Sequence, residues 1–454
     1  MPVSRLCTPE SLYPRSARLR VILSGRAYVG GRFVERDILV EDGLIKKIAA
    51  RIPGDKKSLP GIIVPGAIDI HTHMREPGHE EKEDFFSGTR AAARGGVTCV
   101  LDMPNTEPPT KYIEDVEDKI RRARAKAVVD FGVYALLSSP TLAGRVAPHV
   151  AGFKVYLAAS TGELQSKKSA FEDALTSPHI SGKVVAVHAE DPARFSDRPI
   201  TDLAAWNEAR PEAAEVSAVE YVCELAKGLA ARKGAPRLHL AHLTTPKSLE
   251  LARTAGVSHE VAPRHLLLSE KSPEARALGP KAKVNPPLRS EAIRKKMLDA
   301  LREGRVPILA TDHAPHLDGD KVDFESAASG MPEIEWALPV LFAMAKRGDI
   351  PLERVLDAFT SAPAELFGMK KGSIEVGRQA DLAVFSPSDL RKVGKLQPLT
   401  KCGWSPYGAF EAVFPRHVFL RGTQIVDDHE VVGDRGGGRN IVRVARPAAK
   451  RGGE

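Results

Sequence analysis

The run Asp69-Ile70-His71-Thr72-His73 ends an apolar stretch that reads as a β-strand. Side chains alternate along a strand, so His71 and His73 point the same way, off its C-terminal end. Two imidazoles at that spacing make half a metal site. Three later apolar stretches end in the same manner, on His188, on His242 and on Asp312. His239, three residues before His242, would face the other side of its strand and reads as structural. Lys154 sits in Gly152-Phe153-Lys154-Val155-Tyr156-Leu157, a strand otherwise without charge. A buried ammonium is costly unless it is paired or neutralised. Either its stem reaches out to solvent, or carbon dioxide adds to the amine. The product is a carbamate, whose two oxygens can bridge two zinc ions. Two Zn²⁺ held by imidazoles and carboxylate-type ligands lower the pKa of a trapped water towards ~7 and supply a nucleophile. Asp312 would take the proton of the attacking hydroxide and deliver it to a departing amide nitrogen.

Such ligands need a scaffold that gathers several strand ends. From Gly61 onward, apolar strands alternate with helices. The pattern predicts strands over 62–73, 98–103, 130–137, 152–157, 184–188, 238–243, 257–262 and 306–311. Helices are predicted over 85–94, 113–126, 213–232, 246–255 and 291–302, and two more over 334–346 and 352–367. Eight strands alternating with helices argue for an α/β chain and a (β/α)8 TIM-like barrel, whose strand C-termini converge on one mouth. An open doubly wound sheet is the alternative, but no Gly-rich phosphate loop follows any strand. Short strands within 19–60, with Asp42-Gly43 as a turn, and strand-like alternation after Gly372 suggest a second, smaller β-unit. The expected division is an N-terminal extension over 1–18, a small β-sandwich domain from 19–60 and 371–445, the barrel over 61–370, and a loose tail over 446–454.

The bulk composition narrows the function classes. The chain has 454 residues, 43% hydrophobic and 27% charged, as an ordinary globular protein does. The net charge of +8 is concentrated near the ends, with no aromatic-interleaved basic patch, so no nucleic-acid role is expected. No apolar run approaches the ~18 residues of a membrane span. Residues 1–20 lack the apolar segment of a secretory signal. Cys7, Cys99, Cys223 and Cys402 are far apart, which excludes a local cysteine knuckle and suits a reducing cytoplasm.

Four motifs together carry a resemblance: His71-Thr72-His73-Met74-Arg75-Glu76-Pro77-Gly78, Met103-Pro104-Asn105-Thr106, the Lys154 strand, and Thr311-Asp312-His313-Ala314-Pro315-His316. They are similar to those of the dihydroorotase family, in the zinc amidohydrolase superfamily and of the carbamylated-lysine type, over about 18–442. The resemblance implies reversible hydrolysis of the cyclic amide of (S)-dihydroorotate to N-carbamoyl-L-aspartate, run as ring closure in pyrimidine synthesis. It places one zinc on His71, His73, carbamylated Lys154 and Asp312, and a second on Lys154, His188 and His242. His73, Arg75, Asn105 and His316 match positions that hold the substrate, the last three gripping its carboxylate, for which a planar arginine fork is suited. Asn285, Ser329 and Gly330 match further contacts. Two loops depart from the family pattern: Met331-Pro332-Glu333, and Ala158-Ala159-Ser160-Thr161-Gly162, where Ser160 or Thr161 would cover the substrate. Allantoinases and hydantoinases would share the metals but lack counterparts of Arg75 and His316. A catalytically dead homologue kept as a partner of aspartate transcarbamoylase is disfavoured, because every expected ligand is present. The resemblance leaves open such an association and a homo-oligomer.

Overall fold

The computed structural model describes residues 20–159 and 164–442. Ser160 and Thr161, the extension over 1–18 and the tail over 446–454 lie outside the described residues. Two eight-stranded sheets organise the rest. The first begins with β1 (Arg20–Val29), β2 (Arg32–Glu41), β3 (Leu44–Ala49) and β4 (Lys56–Pro65). Asp42 and Gly43, at φ 51° and 80°, make the tight turn between β2 and β3. Both φ values are positive, as a turn matched to strand twist requires.

The second sheet is the barrel: β5 (Ala67–Thr72), β6 (Val97–Asp102), β7 (Asp130–Leu136), β8 (Gly152–Tyr156), β9 (Val184–His188), β10 (Arg237–Leu240), β11 (Ser258–Val261) and β12 (Ile308–Leu309). Each pairs in parallel with its sequence neighbours. A parallel bridge between Thr72 and His313, and the His73 N–H donating to the His313 carbonyl at 2.8 Å, bring the last segment back beside the first. The chain then returns to the first sheet with β13 (Leu382–Lys392), β14 (Glu411–Leu420), β15 (Thr423–Asp427) and β16 (Glu430–Val431). β4 lies between β1, to which it is parallel, and β13, to which it is antiparallel, so this mixed sheet joins both ends of the chain. Leu23, Ile38, Val40, Ile45, Ile63 and Leu382 form its apolar core.

Two predicted elements prove to be composite. The strand expected over 62–73 is β4 followed by β5, because the chain passes from one sheet to the other at Gly66, whose N–H donates to the Asp381 carbonyl at 2.8 Å. The helix expected over 352–367 is two, Leu352–Phe359 and Ser361–Leu366. Pro363 has no N–H to continue the first helix and its ring disfavours the turn before it. β12 keeps only two residues because the next ones bend away. The Thr311 N–H and hydroxyl bond to the Asp69 carboxylate, at 3.0 and 2.5 Å, and Asp312 sits at φ 48°. Among the described residues no helix is long and apolar enough to cross a membrane.

Candidate metal centre and substrate cavity

The ends of β5, β8, β9, β10 and β12 bring His71, His73, Lys154, His188, His242 and Asp312 to the wall of one small cavity. For His71, His73 and His188 an outer partner decides what the inner nitrogen offers. His71 Nδ1 lies 2.5 Å from Glu260 Oε1. His73 Nδ1 lies 2.5 Å from the Asn105 side-chain Oδ1, and His188 Nε2 2.7 Å from Glu190 Oε2. These acceptors take the ring protons, so the opposite nitrogens present lone pairs inward. Burial favours neutral rings, pushing His73 down to about 3 and lowering His188 and His242 as well.

The inward atoms then face one another across the cavity. His73 Nε2 is 2.9 Å and His71 Nε2 3.3 Å from Asp312 Oδ1. His188 Nδ1 is 3.1 Å from His242 Nε2, and His242 Nδ1 is buried with no hydrogen-bond partner. Burial alone would raise the Asp312 carboxyl, but the charged Arg264 on its Oδ2 opposes this, and the carboxyl is held well below the usual range. Converging acceptors around a fixed carboxylate are the arrangement a cation satisfies. Ligand atoms of His71, His242 and Asp312 lie within 4.8 Å of one another, and this group could hold a metal ion. Lys154 Nζ is fully buried, 3.4 Å from His71 Nε2. Burial lowers its pKa to about 8 against the pull of Glu260 and Asp312.

The remaining expected residues gather beside the cluster. Arg75, Asn105, Asn285, Ser329 and Gly330 line the same cavity. Arg75 donates through Nε to the Pro315 carbonyl at 3.0 Å and through Nη2 to His316 Nε2 at 2.8 Å. His316 lines an adjoining cavity that shares Arg75 and Asn105. Gly330 has φ 150°, and a Cβ there would stand 2.5 Å from the Ala314 carbonyl oxygen, so the wall requires glycine. Arg75, His242 and Asp312 all hold a left-handed backbone, at φ 61°, 38° and 48°. Such non-glycine residues are uncommon and gather at functional sites. His242 lies two residues past β10, so this bend rather than strand alternation aims its ring.

Comparison with known proteins agrees with this geometry. The model of the amidohydrolase family matches residues 62–423. A dihydroorotase of Halobacterium salinarum is 37% identical over 420 residues, covering 88% of this chain and 97% of that protein. One of Thermoplasma acidophilum is 34% identical, covering 91% and 96%. The chain belongs to the amidohydrolase family and, within it, to the dihydroorotases. Among solved structures, an L-hydantoinase from Arthrobacter aurescens is similar at a TM-score of 0.86 and 26% identity, covering 93% of this chain and 99% of its own. A dihydropyrimidinase from Brevibacillus agri shares the fold at 0.82 and 24% identity, with 94% and 100% covered.

This amidohydrolase has site residues that sequence reasoning passed over. Glu260 grips His71 with one oxygen and His239 Nε2 with the other, at 3.0 Å, so His239 stands behind the cluster as support. Arg210 holds Glu190 at 2.5 Å and thereby His188. Arg264, fully buried, joins Asp312 Oδ2 at 2.5 Å to Glu333 Oε1 at 2.6 Å, and the Tyr407 hydroxyl donates to Glu333 at 2.5 Å. Tyr156 lines the cavity with a buried hydroxyl lacking a hydrogen-bond partner. Glu260 lies in the strand predicted over 257–262, but Ser258 and His259 beside it deny it the signal that marked Lys154, a lone charge among apolar residues. Tyr156 shares a strand face with Lys154 two residues earlier.

Proposed function

We propose that this amidohydrolase acts in the cytoplasm as a dihydroorotase, opening and closing the ring of (S)-dihydroorotate. The observation that carries the reading is Arg75, buried in the cavity of the imidazole cluster and backed by His316 at 2.8 Å. A guanidinium there suits a ring that bears a carboxylate. Arg75, Asn105 and His316 would hold that carboxylate, with Asn285 and the backbone of Ser329-Gly330 against the ring.

His71, His73, Lys154 and Asp312 would hold one zinc, and Lys154, His188 and His242 a second. Lys154 would be carbamylated, its amine forming a bond to the carbon of CO2 as it loses a proton. The ions, when bound, supply Lewis acidity and lower the pKa of water towards ~7. Arg264 occupies Asp312 Oδ2, which leaves Oδ1 to work on the cavity side. In hydrolysis Asp312 accepts a proton from the attacking oxygen as that oxygen bonds to the ring carbonyl carbon. The carbon–nitrogen bond then breaks, and Asp312 returns the proton to the departing nitrogen. Ring closure runs the same transfers in reverse.

The likeness to solved hydantoinases favours one second reading, a cyclic amidohydrolase for rings without a carboxylate. Zinc- and bicarbonate-supplemented protein, given dihydroorotate, hydantoin and allantoin in parallel, decides between them. Turnover of dihydroorotate alone is expected. Turnover of another ring with dihydroorotate untouched would overturn the assignment of Arg75.

A further inference from the structure

Behind the carboxylate grip lies a buried ion pair that touches neither cavity. The helix Ile113–Lys126 buries Val116, Lys119, Ile120 and Ala123, so Lys119 occupies its apolar stripe. Both Lys119 and Asp102, at the end of β6, are 0% exposed. Lys119 Nζ lies 2.6 Å from Asp102 Oδ2 and donates to the Met103 carbonyl at 2.6 Å. Asp102 Oδ1 accepts the Met74 N–H at 2.6 Å. The pair therefore grips two backbone segments at once. One leads directly into Arg75, at φ 61°, and the other reaches Asn105 two residues on. The Met103 N–H donates to the Thr72 carbonyl at 2.8 Å and ties the same two segments together.

Stability alone does not call for this arrangement. A buried ion pair gains little over well-packed apolar residues of similar volume. Its specific product is geometry: it fixes the turn on which Arg75 stands and the approach of Asn105. Asp102 also helps electrostatically. Burial lowers the pKa of Arg75, and Asp312 and Asp102 are the first two charges that oppose this.

We propose that Lys119 and Asp102 are a positioning pair for the substrate carboxylate, holding Arg75 and Asn105 in register without touching the substrate. This rests on the proposed dihydroorotase reading. The test uses the zinc-loaded full chain and the double variant Lys119→Met/Asp102→Asn, with two unreactive rings as probes. Orotate carries the carboxylate and uracil is the same ring without it. The double variant should lose about 10- to 100-fold in orotate affinity and show KM for dihydroorotate raised by a similar factor, the range a small misplacement of a binding group produces. Uracil affinity, kcat and zinc content should stay near wild type. Should that variant fail to fold, Lys119→Gln keeps a donor for Met103 and should give a smaller rise in KM at constant kcat. Unchanged orotate affinity and KM, or a loss of kcat and zinc alongside them, overturns the pair's role. If the wild-type protein does not prefer orotate to uracil, the dihydroorotase reading falls and the inference with it.

Discussion

An acceptor for the outer ring proton orients a histidine for a metal, and for His71 that partner comes from far along the chain. Glu260 is 189 residues from His71 in sequence. The candidate ligands were legible because His71, His73, His188, His242 and Asp312 each close an apolar stretch and Lys154 is the lone charge within one. The outer partners were not, because nothing local links Glu260 to His71 or Arg264 to Asp312. Removing such an outer partner typically weakens metal affinity about 10- to 100-fold. Glu260→Ala should therefore lose zinc to a chelator at a correspondingly lower concentration while the chain stays folded. Unchanged affinity would mean that His71 orients without its carboxylate. Arg75→Ala should behave in the opposite sense, abolishing dihydroorotate turnover with zinc retained on elemental analysis. Loss of metal in that variant would move Arg75 from the substrate to the metal centre.

Elements were legible where their ends carry local signals. The helix Phe85–Arg94 matches its expected bounds because Asp84 accepts the Phe86 and Ser87 N–H groups, both at 2.8 Å. The two composite elements were not, since an apolar run looks the same whether it stays in one sheet or crosses to another at Gly66. The segment 396–410 offered no periodicity at all, yet it braces the site. The Trp404 indole donates to the His316 carbonyl at 2.8 Å, and Tyr407 ends the buried chain through Glu333 and Arg264 to Asp312. Tyr407→Phe removes one hydroxyl donor and leaves a buried Glu333 oxygen less satisfied. A loss of about 1–3 kcal/mol is expected, read as a lower urea midpoint at unchanged slope. No shift would show that this segment packs against the barrel without holding it.

At the scale of the molecule, the mixed sheet has its own electrostatic anchor, remote from the site. Asp37 in β2 accepts the Ser24 hydroxyl at 2.7 Å and the Ile52 N–H at 2.6 Å, and pairs with Lys56 at the start of β4. It thus ties β1, β2 and β4, the strands that connect the N-terminal half of the sheet to β13. Burial opposes the charge, but Lys56, Ser24 and Ile52 outweigh it and bring the carboxyl from an ordinary 3.8 down to about 2. The folded state therefore binds this proton less readily than the unfolded chain. The stabilisation is complete above pH ~5, is lost as the pH falls from 3.8 through about 2, and is gone below that, where both states are protonated. A depression of this size corresponds to about 2 kcal/mol. Asp37→Asn should cost roughly that amount in urea unfolding at pH 6, and the gap to wild type should narrow steadily below pH 4. A gap independent of pH would assign the loss to packing or neutral hydrogen bonds rather than to the carboxylate charge.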